Sequence, residues 1–556
     1  MTFSNVDDKV PMMFRAQVNG RCQLQYAQSE HIQTWKHEWT EAAATKPLGF
    51  AEPIQTSKEC KISWRFVTNG GQDDGIIRPV IDSMGIPFYP GSSMKGAFRK
   101  ACEQMEKAKE LPVGTSDLYC GTKPSKNKDE NSTKPGILRF HGGYPINNGW
   151  TENLIDVVHP QQGWQVGIPQ QESHSAKVLI SLYKPNLQFG ISSTLDLDKA
   201  QWQQIWQIWD KALSMGLGGR VSAGYGQPNK HSSSILYKVS LHGQGQAANL
   251  LDGSTEFRPN IFRASLRGHA LRIFGGLTTA NNAEQLVAQL FGGIQGTTQV
   301  GLLSMAFHQT SPAQELSDTY TVEGDLKWLL TRPLPEQEKS ALRELVKHLT
   351  QFAMLLSGFG KSWRRADHRK FPLDDGQIYD DHLIGCHWQW AGQRSPVYDN
   401  PVRKLEEIAP FIEHVQSNAR NWMQIQNQTD DGISSANWRE SWFKENVQVW
   451  GRRADLADDS LAINWLHGNY SSDPEGNRLT IKSSTVTGNL NQIGRLWHRM
   501  YPVVLRQPDP NDPKKALPKL TNRYLELLTL FPDDTTKCDR FLQFLESTET
   551  DFEKLW

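Results

Sequence analysis

The chain carries no net charge: Lys plus Arg and Asp plus Glu each number 60 over 556 residues. A bulk cationic field is therefore excluded, and any nucleic-acid binding has to come from local basic stripes. Cysteine is scarce, at six. The six are too scattered for a disulfide framework, which points to a reducing, cytoplasmic setting. No apolar run approaches the roughly 20 residues of a membrane span, so no membrane partner is expected. The opening MTFSNVDD lacks a basic start and an apolar core, and is not read as a signal peptide. Tryptophan, by contrast, is plentiful at 19, and its usual place is the core or an interface rather than a stack on a base. The length allows two or more domains, each with its own core.

One stretch organises the rest. Residues 87–99 read PFYPGSSMKGAFR. Pro90-Gly91 is a turn, Ser92 or Ser93 is placed to cap a helix, and Met94, Ala97, Phe98 and Ala101 give that helix an apolar stripe. A turn, a helix start and the nearby Lys95 and Arg99 together suit a phosphate. The order recurs at residues 262–272, FRASLRGHALR, where Ser265, Arg267, Gly268 and Arg272 match Ser93, Lys95, Gly96 and Arg99 with one residue inserted. A glycine-rich basic loop lies downstream of each copy. The first is GLGGRVSAGYG at 216–226, with Arg220. The second is GFGKSWRR at 358–365, with Lys361, Arg364 and Arg365. Glycines let a backbone approach a ligand closely and Arg forks onto phosphate, so two ordered motif pairs indicate a diverged internal duplication.

These motifs resemble the RAMP superfamily, the ferredoxin-like, RNA-binding backbone proteins of type III CRISPR effector complexes. A tandem pair in one chain looks most like the double-backbone fusion subunit of a type III-D variant complex. The first copy also carries GILRFHGGYP at 136–145 and DVVHP at 156–160, similar to two middle motifs of the family. The second matches at its helix, at LFGG (290–293) and at its glycine-rich loop. The resemblance covers about half of the chain. It implies an α+β fold of two tandem ferredoxin-like (RNA-recognition-motif-like) RAMP domains, at 1–242 and 243–556. A thumb insertion is expected between about 145 and 178, and a larger insertion near 370–480 as a second thumb or a neighbour-binding surface.

Along the chain, residues 62–67 alternate like a half-buried strand, 68–75 read as a loop and 76–81 as an edge strand. Residues 121–135 have almost no apolar side chain. Helices are expected over 197–215, with Trp202, Trp206 and Trp209 on one stripe, and over 263–277, 283–291 and 336–356. Another is expected over 403–426, interrupted by Pro410. Residues 235–241 and 479–486 read as strands, 507–517 as turn-rich, and two helical segments finish the chain.

The resemblance implies guide-RNA contacts from Ser92, Ser93, Lys95, Arg99, Arg220, Ser265, Arg267, Arg272, Lys361, Arg364 and Arg365. Such a grip on phosphates is sequence-independent and salt-sensitive. Members that cut target RNA use an Asp in the loop before the first helix, where Asp73 and Asp74 stand and Asp82 lies just beyond. The 2′-hydroxyl attacks the adjacent phosphate, and Mg²⁺ or another divalent cation suits a carboxylate there. In the second copy Asp252 and Glu256 occupy the corresponding place. The partners implied are CRISPR guide RNA, complementary target RNA and other type III effector subunits. Two other readings stay open: a non-catalytic RNA-binding scaffold, and a guide-RNA-processing endonuclease with a His-based site, for which His141, His159 and His368 are the nearest histidines. Cys102, Cys120, His141 and His159 could compose a zinc site, but no close Cys pair supports one, and no resident metal ligand is assigned.

Overall fold

The computed structural model describes residues 29–43, 49–68, 70–73, 76–123, 134–158, 177–229, 235–250, 254–293, 300–311, 314–316, 319–360, 364–365, 386–393, 395–428, 435–489 and 492–556. The fold is α+β. The PGSS motif opens a helix, Gly91–Lys107, whose Met94, Phe98, Ala101 and Cys102 are buried. They pack with Ile205, Ile208 and Trp209 of the helix Lys199–Ser214, which Asp198 opens with a reciprocal capping box to Gln201. Beneath both helices an antiparallel sheet runs Leu138–Pro145, then Asn186–Ser193, then Gln55–Thr56 and Cys60–Lys61 on the far edge. Phe189 meets Trp209 across this layer at 4.8 Å. The predicted tryptophan stripe is core at Trp209 and half-buried at Trp202 and Trp206.

A second antiparallel sheet has the order Leu303–Gln309, Thr319–Leu330, Ile235–Gln246, Cys386–Trp390. The helices Asn260–Gly275 and Glu336–Phe352 pack on it through Phe262, Leu266, Ile273, Leu342, Leu345 and Leu349. Strand Ile235–Gln246 crosses the expected boundary at 242/243 without a break and belongs to this second sheet. A third sheet orders Arg364–Arg365, Leu496–Asp509, Asp512–Leu530, Gln448–Ala454 and Glu553–Lys554. Its other face packs on Trp465, Phe541 and Phe544 from the helices Leu461–His467 and Thr536–Glu546. The two longest strands outrun their neighbours. Of the strand Asp512–Leu530, Gln448–Ala454 meets only residues 524–530, so the chain beyond Pro502 continues as a two-stranded ribbon that exposes Leu520.

Several local features differ from the sequence reading. Residues 29–42, a polar, Trp-containing stretch in the sequence, form a helix, Ser29–Ala42, with Trp39 buried. The expected half-buried strand at 62–67 is almost wholly buried, Arg65 included. The 68–75 loop contains strand Gly71–Asp73, which pairs antiparallel with Ile76–Arg78. Pro410 does not interrupt its helix, which starts at Ile408; proline is tolerated in a first turn, where N–H groups lack intrahelical partners. Residues 480–487 are turns rather than a strand, because Ser484 and Thr487 hydroxyls donate to the Ile481 carbonyl and compete with a ladder. In the region expected as a second thumb, Cys386–Trp390 is a sheet strand and Ile408–Ile425 packs on Glu336–Phe352. The turn-rich 507–517 segment is the far end of the ribbon. Among the described residues no helix is long and apolar enough to cross a membrane.

Candidate nucleic-acid interface

The helix Gly91–Lys107 starts two residues earlier than a cap at Ser92 would place it, and three earlier than a cap at Ser93. Pro90 is the cap position, extended at φ −62° and ψ 144°, and its carbonyl accepts from Met94 N at 2.9 Å. Ser92 and Ser93 are therefore first-turn residues, not caps, and neither side chain bonds the helix end. Both are exposed, and the first-turn N–H groups have no intrahelical acceptor. Gly91 is required here: a Cβ on it would lie 2.0 Å from the Phe140 carbonyl oxygen.

The first glycine-rich loop folds back onto strand Arg65–Phe66. Gly219 N donates to Val67 O at 2.9 Å, Gly226 N to Arg65 O at 2.7 Å, and Leu217 N to Gly226 O at 2.9 Å. These bonds bring Gly218 and Gly219 opposite Ser93. Together with Thr68, Val80, Tyr89 and Pro90 they line an open cleft of about 270 Å³. Gly226 sits at φ +60° with its missing Cβ 1.8 Å from Leu217 O. Gly226→Ala is expected to cost at least about 2 kcal/mol, from left-handed backbone strain plus the clash, read as a lower unfolding midpoint.

The cations divide into two groups. Lys95 and Arg220 are exposed, one on the helix and one on the loop that wall the cleft. Arg220 holds a left-handed backbone, φ 58°, which is uncommon for a residue with a side chain. Arg99 is turned inward: its Nη2 donates to Cys120 O at 2.9 Å and to Gly121 O at 2.6 Å, and Nη1 lies 3.5 Å from Asp117. It closes the end of the helix Thr115–Cys120, a favourable place for a cation. In the second copy Arg263 does this work, donating to Phe291 O at the end of the helix Ala280–Phe291. Ser265 is half-buried. The Arg267 guanidinium is partly buried with its Nε unpartnered, and burial lowers its pKa. Arg272 pairs with Glu440 and lies 5.1 Å over the Trp497 ring. Of the second glycine-rich loop, Phe359 is buried and its carbonyl accepts from Trp388 Nε1. Arg364–Arg365 pairs in parallel with His498 and Arg499. Lys361 lies outside the described residues, as do the side chains of Arg364 and Arg365.

The acidic candidates are placed by backbone. Asp73 ends its strand opposite Ile76, and its side chain and Asp74 lie outside the described residues. Strand Ile76–Arg78 runs parallel to Lys177–Ile180, which pairs with Ile155–Val158. The starts of these two parallel strands, Ile76 and Lys177, therefore lie at the same end of this small sheet. Val80, at the cleft, is about 13 Å along the chain from Ile76. The expected thumb at 145–178 is described only at its flanking strands. Asp82 is occupied by a turn, accepting from Met84 N and Ile86 N. Asp252 lies outside the described residues. Glu256, read as a second-copy acid, is instead buried against Arg65 and Trp64.

The histidines and cysteines carry less. His141 Nε2 bonds Ser192 Oγ at 2.8 Å, and burial lowers its pKa. His159 and His368 lie outside the described residues. Burial pushes the Cys102 thiol up to about 12 and the Cys120 thiol to about 11, against thiolate ligation. Among the described residues no group of three metal-ligating side chains gathers.

No family model and no curated protein matches the chain. Solved structures with partial likeness include a chain of the type III-B Cmr-beta complex bound to cognate target RNA, at 16% identity and a TM-score of 0.23, covering 40% of this chain and 72% of that one. Another is a chain of a type IV-B CRISPR complex, at 17% identity and a TM-score of 0.20, covering 32% and 87%. The features that sequence reasoning missed are Thr68 on the cleft and the buried residues behind the loop, Arg65, Asp156, Tyr225 and Arg258. Arg65 carried a signal, since a charged residue inside an apolar run needs a partner.

Proposed function

We propose that this chain is an RNA-binding backbone subunit of a type III CRISPR effector complex, most like the double-backbone subunit of a type III-D variant. The observation that carries the reading is the cleft. A helix start and a glycine-rich loop, far apart in sequence, wall one space lined by Ser93, Gly218 and Gly219, and the same two segments carry the exposed Lys95 and Arg220. Backbone N–H groups, glycines and flanking cations suit a phosphodiester backbone without selecting a base. The tandem ferredoxin-like reading is supported by strand order. In each of the first two sheets the strand after the first helix lies at one edge, its hairpin partner lies next, and the strand before the helix comes third. Local details recur too. Gly121 and Gly292 end equivalent helices at φ 85° and φ 87°, and Ile137 and Leu302 each accept from a threonine N–H, of Thr194 and Thr331.

In this reading the guide RNA backbone lies in the first cleft and the target strand passes Asp73 and Asp74. The target 2′-hydroxyl attacks the adjacent phosphorus and the 5′-oxygen leaves. Two neighbouring carboxylates suit a hydrated Mg²⁺, which would help to neutralise charge on that phosphate. Arg220 separates binding from folding. Arg220→Gly relieves its backbone strain, so stability is expected to hold or rise. RNA affinity is expected to fall, and the slope of log affinity against log salt to shrink by about one, as it should in Lys95→Ala. Titration of single-stranded RNA at several salt concentrations measures both. An unchanged slope in both variants would sink the reading of this cleft.

A further inference from the structure

We infer that Arg258, from the segment that leads into the second long helix, positions the first glycine-rich loop through Tyr225, so that the first cleft is completed by the second half of the chain. The inference rests on the reading of that cleft as an RNA site.

Behind the loop lies a buried cluster of two cations and two anions. Glu256 accepts from Arg65 Nε at 3.0 Å, from Arg65 Nη2 at 2.5 Å and from Trp64 Nε1 at 2.7 Å. Arg65 Nη1 donates to Asn153 O and Ser181 Oγ, each at 2.9 Å, so every nitrogen of that guanidinium is used. Asp156 is wholly buried. Its Oδ2 accepts from the Tyr225 hydroxyl at 2.7 Å and from Ser181 Oγ at 3.3 Å. Its Oδ1 lies 2.6 Å from Arg258 Nη1, an ion pair whose N–H is not aimed along the contact. Arg258 Nη2 donates to the Tyr225 oxygen at 2.9 Å and its guanidinium lies 5.4 Å over the Trp64 ring, which meets Tyr225 at 4.5 Å.

Arg65, Asp156 and Tyr225 belong to the first half, and Glu256 and Arg258 to the second. Tyr225 sits between Gly224 and Gly226 of the loop that walls the cleft. Its hydroxyl is the joint: it gives its proton to Asp156 and accepts from Arg258, and both bonds involve a charged group, the stronger kind. The loop also rests on the second half at Gly224, where a Cβ would stand 3.1 Å from the Met305 methyl. The loop glycines cannot hold their own shape, because glycine carries the largest backbone entropy. The buried tyrosine and its two charged partners hold it for them. The cluster balances its charges, so losing one member leaves a charge uncompensated and loosens the loop, not only the core.

The test uses the full chain with Tyr225→Phe, Arg258→Met, Arg258→Lys and the Tyr225→Phe/Arg258→Met double variant. Tyr225→Phe keeps the ring packed on Trp64 and removes only the joint. Two readouts are taken well below the unfolding midpoint: amide hydrogen exchange at Leu217 and Gly219, and affinity for single-stranded oligouridine. In Tyr225→Phe both amides are expected to exchange about tenfold faster relative to core amides, and the RNA affinity to fall about tenfold. Arg258→Met is expected to add little in the Tyr225→Phe background, because both act through one joint. Arg258→Lys, which keeps the charge, is expected to recover part of the affinity. If Tyr225→Phe leaves exchange and RNA affinity at wild-type values, the inference is overturned while the RNA reading stands. If the wild-type chain itself does not bind oligouridine, the RNA reading fails, and the exchange of Leu217 and Gly219 still decides whether Arg258 and Tyr225 hold the loop.

Discussion

Reconstituted with guide RNA and partner subunits, the Asp73→Ala or the Asp74→Ala protein is expected to leave one target-RNA cut unmade. The loss should be about 10²- to 10⁴-fold in rate, the range for a positioned acid–base or charge-stabilising group. Asp73 ends a strand whose partner, Ile76–Arg78, leads to the cleft at Val80, so in the proposed reading RNA in the cleft would pass toward the two acids. In the proposed reading one of the two acids carries the reaction. The substitutions are therefore expected to be unequal. Nucleotide-resolution mapping of target cuts at matched assembly checks this. Intact cuts in both variants, and in Asp252→Ala, would make the chain a scaffold in that reaction. Cutting that persists in a chelator would favour metal-independent chemistry instead.

Glu526→Gln is expected to cost about 3–5 kcal/mol of stability at neutral pH, as breaking one partner of a buried charge pair does. Glu526 is wholly buried in the third sheet. One oxygen accepts from His498 Nε2 at 3.1 Å, Ala462 N at 3.0 Å and the Ser460 hydroxyl. The other accepts from Arg452 Nε at 2.6 Å and Leu461 N at 3.1 Å. Burial alone would raise its pKa; the bond and charge of His498, with Arg452 and Ser460, outweigh burial and hold it below the usual carboxylate value. A carboxyl depressed on folding contributes stability above its unfolded pKa, and that contribution is lost as pH falls through the folded value. This component of stability should therefore fall away as pH drops from the ordinary carboxylate range to below it in the wild type, and be absent in Glu526→Gln. Denaturant titrations from neutral to acid pH measure both effects. The double variant Glu526→Leu/Arg452→Met should recover much of the loss, since it strands no charge.

How legible all this was in the sequence follows the range of the interaction involved. Lys199–Ser214 was readable because a cap, a capping box and an apolar stripe all lie within its own span. The cleft was readable as two motifs, because each keeps its glycines and cations together. What those cations touch was not. Arg99, Arg263 and Arg272 look alike as letters. Yet two close helix ends, at Gly121 and Phe291, and the third meets Glu440, a residue far along the chain. Nothing near Arg272 announces that partner. Glu256 is the same lesson in reverse: in a loop sequence an acid reads as available, and only the fold shows Arg65 waiting behind it. The third sheet was missed because its longest strand, Asp512–Leu530, runs through residues expected to be helical, although it forms a hairpin with Leu496–Asp509; after residue 517 the helix among the described residues is Thr536–Glu546.

The ribbon beyond Pro502 bears on how the chain stays apart from its own copies. A two-stranded ribbon has backbone donors and acceptors along both outer edges, a template for another strand. Here Pro508, Pro510, Pro513 and Pro518 punctuate those edges, and a proline nitrogen has nothing to donate. Lys515, Lys519 and Arg523 add like charges along one strand, so a second ribbon aligned in register would meet repulsion as well as gaps. The chain can thus extend a long bare arm, with Leu520 uncovered, without that arm seeding edge-to-edge aggregation.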